Sequence, residues 1–379
     1  MQTINFRQEA VKALEKSYLS NKNGIIAAST GFGKTKVAID FIKLFIKKYK
    51  RFPKVLIVTP TEQLRDVDWK NEFIKFRCKA IFDLFCDAVC YASLSKIKSF
   101  YDLIILDEVH HLTESHYQKL NTLIKHKSFL VGLTATVPKN KDKIDLLKSL
   151  NFTISFKFKL DEAIDNNIVS DYNIYLIPIE LDNTKLTYKA FETGNAKMTE
   201  KAKYNQCDMY IDKANGAKWS ISNRMHFIYN SESKTTKAKE LISYIDNTKK
   251  TIIFSGSIAQ AELLCKDTFH SKSKKDTLDL FRNNKINKLS CVDALNEGIN
   301  ITNIDIGIIT QIKANDKVIT QQIGRLLRGT SKAIIFILYL KNTQDEKWLN
   351  QALVSFDKNK IITIETEKEI KQILDANNK

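Results

Sequence analysis

The stretch ASTGFGKT, Ala28 to Thr35, constrains what this chain can fold into more than any other. It separates a short apolar run, Gly24 to Ala28, from a helical pattern, Lys34 to Tyr49. A glycine turn between a strand and a helix points backbone N–H groups and a helix N-terminus at one place, which suits phosphate oxygens. The G-K-T end matches the P-loop, with Ala28 where the loop's usual first glycine stands. Thr30, Gly31, Phe32 and Gly33 form the turn and are expected, with Lys34 and Thr35, to bind the nucleotide. Lys34 is expected to reach the β/γ phosphates, and the Thr35 hydroxyl to ligate Mg²⁺.

DEVH, Asp107 to His110, ends a second apolar strand, Leu103 to Leu106. Ligands of a parallel sheet bind at that end of its strands. Asp107 is expected to hold Mg²⁺ through water, and Glu108 to orient the attacking water or accept its proton. His110, His111 and His116 suggest a metal, but no Cys or carboxylate at suitable spacing completes a zinc set. They read as a partly exposed histidine cluster.

Strand and helix patterns alternate through most of the 379 residues. Val55–Thr59 and Phe129–Leu133 are further strands, and Glu62–Phe76 is helical. The alternation weakens after Leu150 and resumes with strand Thr251–Ser255, helix Ile258–Thr268, strands Leu289–Val292 and Ile304–Ile309, helix Val318–Leu327 and strand Ala333–Leu340. This pattern predicts an α/β chain with parallel sheets covered on both faces. Two domains are expected, 1–165 and 166–379, the second with a Lys-rich, mostly helical insert at about 181–248.

The formal charge is +17, which points to an anionic partner, nucleic acid being the commonest. No apolar run is long enough for a membrane helix and no signal region opens the chain, so a cytoplasmic location is expected, that of the host for a phage-encoded protein. Six cysteines without a C-x-x-C pair read as reduced thiols. Only eight residues are Arg, yet Arg325 and Arg328 stand three apart in QQIGRLLRG. Gln321, Arg325 and Arg328 fall on one helix face, where two guanidinium forks suit phosphate.

P-loop, DEVH and QxxGRxxR, in that order, resemble the motifs of superfamily 2 helicases and translocases. TPTEQLR (Thr59–Arg65), CYASL (Cys90–Leu94), LTATVP (Leu133–Pro138), IIFSGSIAQAE (Ile252–Glu262) and NEGINI (Asn296–Ile301) resemble the intermediate motifs. The likeness spans residues 4 to about 340. It is nearest the DExH branch that includes type III restriction R-subunits and phage-encoded helicases. It implies two RecA-like domains and a nucleic-acid-stimulated ATPase using ATP and Mg²⁺. It implies that Gln8 reads adenine with Arg7 and Phe6 near the base, and that Thr134 and Thr136 couple the ATP site to movement. Gly298 would lie near the γ-phosphate, and Asn300, where many relatives have Asp, near the ribose. Gln321, Arg325 and Arg328 would close the site, with His110 toward Gln321. Asp68 stands before Trp69 where relatives often have Gln.

Strand contacts are expected mostly at phosphates, from Thr61, Arg65, Ser93, Ser255 and Gly256. The leading expectation is an ATP-dependent DNA helicase or branched-DNA translocase. An RNA helicase, a restriction motor subunit and a nucleotide-gated clamp are the alternatives. Protein partners are not legible.

Overall fold

The structure is a computed structural model that describes residues 2–135, 137–138, 140–190, 195–273, 276–292, 301–312, 316–327 and 332–377. The chain divides into two compact units at Val169/Ser170.

The first unit holds helix α1 (Gln2–Leu19), strand β1 (Asn23–Ala28), α2 (Lys34–Tyr49), β2 (Val55–Thr59), α3 (Trp69–Lys75), α4 (Lys79–Phe85) and β3 (Cys86–Cys90). β4 (Tyr101–Leu106), α5 (Glu114–Leu123), β5 (Ile124–Thr134), α6 (Lys141–Ser149), β6 (Phe152–Phe158) and α7 (Leu160–Asp165) follow. The six strands form one sheet in the order β3-β2-β4-β5-β1-β6, every neighbouring pair parallel. β2 is buried at every position, as a strand covered on both faces must be. Register sets the functional edge. Leu106 pairs with Gly132, and Thr134 pairs with Ala27, so the ends of β4, β5 and β1 meet at one rim.

Two strands escape the sequence pattern for a physical reason. β6 is an edge strand buried only at its two ends, Phe152 and Phe158, and it carries no continuous apolar run. β3 occupies the other edge and is likewise mostly half-buried. The helix expected over Glu62–Phe76 is also modified. Leu64–Asp68 is a π-helical turn, with Trp69 N donating to Leu64 O, and the α-helix begins only at Trp69.

The second unit opens with β7 (Tyr172–Ile179), the hairpin strands β8 (Tyr188–Lys189) and β9 (Lys197–Met198), α8 (Glu200–Lys213), α9 (Lys218–Tyr229) and α10 (Glu232–Tyr244). It continues with β10 (Thr251–Phe254), α11 (Ile258–Leu264), β11 (Thr268–Phe269), α12 (Asp276–Arg282), β12 (Lys288–Cys291), β13 (Ile306–Ile309), α13 (Asp316–Leu326), β14 (Ala333–Leu340), α14 (Gln344–Ala352), β15 (Ile361–Thr363) and α15 (Glu367–Ala376). Seven strands, again all parallel, run in the order β11-β12-β10-β13-β14-β7-β15.

The Lys-rich stretch read as a helical insert is mixed. It starts with the antiparallel β8–β9 hairpin, and its last helix, α10, packs on β14 and β7 as part of the sheet's own cover. Lys234 of α10 is fully buried and pairs with the equally buried Asp345 of α14. That Asp345 carboxylate also accepts from Leu340 N at 3.0 Å. The helix expected over Ile258–Thr268 stops at Leu264, and Thr268–Phe269 pairs with β12 as an edge strand. Among the described residues, no helix is long and apolar enough to cross a membrane.

Candidate active site

The loop after β1 folds as a phosphate cradle requires. Gly31 and Gly33 have φ of 89° and 91°, the left-handed region that glycine enters without strain. Helix α2 starts at once with Lys34 and Thr35, and its N-cap, Gly33, makes no side-chain capping bond. The first-turn N–H groups and the helix dipole therefore favour an anion there. Lys34 Nζ donates to the Ala28 carbonyl at 3.0 Å, which holds the ammonium across the loop.

Two aromatic anchors and one arginine fix this loop. Phe32, grouped at first with the nucleotide contacts, has its ring fully buried against Phe156 and Phe158, with centroids 5.6 and 5.1 Å away. Its own N–H donates to Ser29 O at 3.3 Å, so Phe32 anchors the turn. Arg7 Nε donates to Phe32 O at 2.8 Å. Phe6 packs on Phe158, with ring centroids 4.8 Å apart. Of the three α1 residues expected at the base, Arg7 and Phe6 thus serve the loop and β6, and Gln8 is the exposed one.

Asp107 and Glu108 follow β4 at the same rim. The Asp107 carboxylate is buried and accepts from Trp69 Nε1 at 2.9 Å through Oδ2 and from Glu108 N at 3.1 Å through Oδ1. Tyr91 Oη donates to the Asp107 carbonyl at 3.0 Å, and Asp107 N donates to Val58 O at 2.9 Å. Burial, and then the Glu108 charge, push the Asp107 carboxyl up to about 7, against the pull of Trp69 and Lys34. A desolvated carboxylate beside a second one is a fitting seat for a divalent cation, whose charge favours the ionised form.

Glu108 itself sits at φ 47°, a left-handed conformation that costs a side-chain-bearing residue energy and recurs at active sites. Its Oε2 is buried, accepts no hydrogen bond among the described residues, and lies 3.4 Å from His110 Nδ1. That same nitrogen is 3.2 Å from Thr134 Oγ1, at the end of β5. His110 Nδ1 therefore lies between Glu108 and Thr134, while the Gln321 side chain it is expected to face lies outside the described residues.

The candidate strand contacts fare unevenly. Thr61 Oγ1 accepts from Leu64 N at 3.4 Å and so opens the π turn. Arg65 lies on that turn, bonded to Asp66 at 2.6 and 2.7 Å. Ser93 is half-buried in the 3₁₀ turn Tyr91–Lys96.

Ser255 and Gly256 need correction. The Ser255 hydroxyl is buried and 2.7 Å from Ser290 Oγ, so it faces a neighbouring strand. Gly256 N donates to Gln260 Oε1 at 2.8 Å, and a Cβ there would stand 2.7 Å from Tyr229 Cβ. The small residues of this turn serve close packing on α9.

In the second unit, α13 carries Gln321 and Arg325, and Arg325 is only 8% exposed. Arg328, Gly298, Asn300, Thr136 and the side chain of Gln321 lie outside the described residues. Three residues of consequence were missed as such: Trp69, Tyr91, and Arg7 as a clamp. All three act through contacts 16 to 38 residues apart in sequence, which no local spacing reveals.

Two parallel-sheet units, the first with a P-loop and an adjacent acidic pair at one rim, define a RecA-like P-loop ATPase. The family model for the type III restriction enzyme res subunit matches residues 1–88 and 87–139, and that for the helicase conserved C-terminal domain matches 233–330. The chain is 24% identical over 378 residues to the DNA 3'-5' translocase XPB2 of Sulfurisphaera tokodaii, covering 90% of this chain and 82% of that protein. It is 26% identical over 364 residues to putative helicase 22 of Sulfolobus islandicus filamentous virus, covering 86% of this chain and 61%, less than two thirds, of that longer protein. The structure of S. cerevisiae Dbp5 bound to RNA and ADP BeF3 shares the fold, with a TM-score of 0.60 over 94% of this chain and 90% of that one, at 12% identity. The two family models together, and the two relatives, make the chain similar to superfamily 2 helicases and translocases of the DExH type and to type III restriction R-subunits.

Proposed function

We propose that this chain is an ATP-dependent DNA helicase or translocase that couples ATP hydrolysis to movement along nucleic acid. The observation that carries the reading is the Asp107–Glu108 pair, the first buried and the second half-buried with a left-handed backbone, at the rim where the P-loop opens. Lys34 and the N–H groups of α2 bind and orient the triphosphate. Glu108, whose buried Oε2 accepts no hydrogen bond among the described residues, orients the attacking water and takes its proton. Thr35 and Asp107 would hold Mg²⁺, which neutralises charge on the phosphates.

Gln321 and the arginines of the second unit are proposed to act on the same triphosphate. Arg325, 8% exposed on α13, is proposed to stabilise charge on the transferred phosphoryl group, the role its motif implies. Arg328, Gly298 and Asn300 keep the roles their motifs imply, and Thr134 takes part through His110.

DNA is the proposed partner because the relative matched over most of both chains is named a DNA translocase. Thr61, Arg65 and Ser93 are the proposed phosphate contacts. The test is steady-state ATP hydrolysis with single-stranded DNA, duplex DNA, forked DNA and RNA. Hydrolysis stimulated by DNA, and lost in Lys34→Ala and Glu108→Gln while Glu108→Gln still binds ATP, is the expected result. Stimulation by RNA alone would overturn the DNA assignment. ATP binding without turnover in the wild type would make the chain a clamp.

A further inference from the structure

Asp107 is held by two aromatic donors from outside its own strand. Trp69 Nε1 binds its carboxylate at 2.9 Å, and Tyr91 Oη binds its carbonyl at 3.0 Å. Trp69 is 1% exposed, so no water competes for the indole N–H. The two donors come from the two elements that carry the candidate strand contacts of this unit. Arg65 is on the π turn that ends at Trp69, and Ser93 shares a 3₁₀ turn with Tyr91. Arg65 Nη1 also stands 3.9 Å from Cys90 Sγ, which joins the two elements to each other.

The π turn aims the indole. Its five-residue step, Trp69 N to Leu64 O, adds one residue to the turn. One residue rotates everything after it by about 100° about the helix axis, so an α-helical turn would swing Trp69 away from Asp107. Such turns are uncommon and concentrate at functional sites. A tryptophan there merely to fill the core would not need its N–H aimed at an acid.

We propose that Trp69 and Tyr91 are positioning residues through which strand binding on the Leu64–Asp68 and Tyr91–Lys96 turns sets the orientation of Asp107. The proposal rests on the ATPase reading above and names its internal coupling. A phosphate drawn to Arg65 or Ser93 displaces a turn that is rigidly tied, by one hydrogen bond each, to the carboxylate or to its carbonyl. The acid is thereby better aligned for the nucleotide when a strand is present.

Two measurements on the full chain test this. In a Trp219→Phe/Trp348→Phe background Trp69 is the sole tryptophan. Its emission should shift when a thymidine oligonucleotide binds without nucleotide present. Separately, Trp69→Phe should lower the ratio of strand-stimulated to basal ATPase by about tenfold, roughly what one hydrogen bond to a charged group is worth, and Tyr91→Phe, which loses a bond to a neutral carbonyl, by about threefold or more. Oligonucleotide affinity should stay within about twofold, far less than such a bond's tenfold. Tyr91→Phe removes a single oxygen, so it remains informative where Trp69→Phe disturbs folding.

An unchanged ratio in Tyr91→Phe, or a silent Trp69 with oligonucleotide bound, overturns the coupling. A wild type that hydrolyses no ATP overturns the functional reading instead, and the emission response still judges the link between strand and Asp107. An oligonucleotide that does not bind overturns both.

Discussion

At Gly33 the whole loop depends on the absence of one carbon. Its φ is 91°, and a Cβ would stand 2.8 Å from Arg7 Nε, the atom that holds the Phe32 carbonyl. Gly33→Ala is therefore expected to lose both an unstrained conformation and the clamp, at about 1–3 kcal/mol, and to weaken ADP binding measured by calorimetry. Binding as tight as wild type would show that the loop tolerates other shapes. Ser255→Ala should leave DNA affinity in a filter-binding assay unchanged, because that buried hydroxyl is bonded to Ser290, and should cost stability of about 1 kcal/mol. A clear drop in DNA affinity would restore Ser255 as a contact. The P-loop and the acidic pair were legible because each is a contiguous string at a strand end. Ser255 was misjudged because a small polar residue after a strand looks alike whether it faces phosphate or the next strand. Trp69 was passed over because a tryptophan in a helical stretch reads as core, and its partner is 38 residues away.

Among the elements, α10 and α14 illustrate what charge counting hides. Lys234 lies in a stretch whose lysines suggest a solvated face, yet it and Asp345 are fully buried, tying the two helices together. Burial raises the Asp345 carboxyl above its ordinary range, and the Lys234 ammonium opposes that. Removing one partner strands the other charge, so Lys234→Met is expected to destabilise the second unit by about 3–5 kcal/mol in denaturant unfolding. The double change Lys234→Met/Asp345→Leu should recover most of that loss. A single variant as stable as wild type would mean that the pair is exposed to water in solution. The alternation of strands and helices was readable because central strands such as β14 are apolar throughout. Edge strands β3, β6 and β11 were not, since one-sided burial leaves no apolar run.

For the whole chain, a charge of +17 alone says only that the partner is anionic. Nucleic-acid affinity should fall steeply with salt, with a logarithmic slope of about −0.7 for each single-strand phosphate neutralised. A slope near zero in fluorescence anisotropy would contradict phosphate contacts. The central proposal is an ATPase whose turnover needs Arg325 and is controlled by a nucleic-acid strand. The most direct measurement is the DNA-stimulated ATPase rate of wild type against Arg325→Ala, alongside ATP affinity. The expected result is stimulation in the wild type and a loss of about 10³–10⁵ in the variant, with ATP binding largely kept. A variant that hydrolyses ATP at the wild-type rate, or a wild type indifferent to DNA and RNA alike, would contradict it.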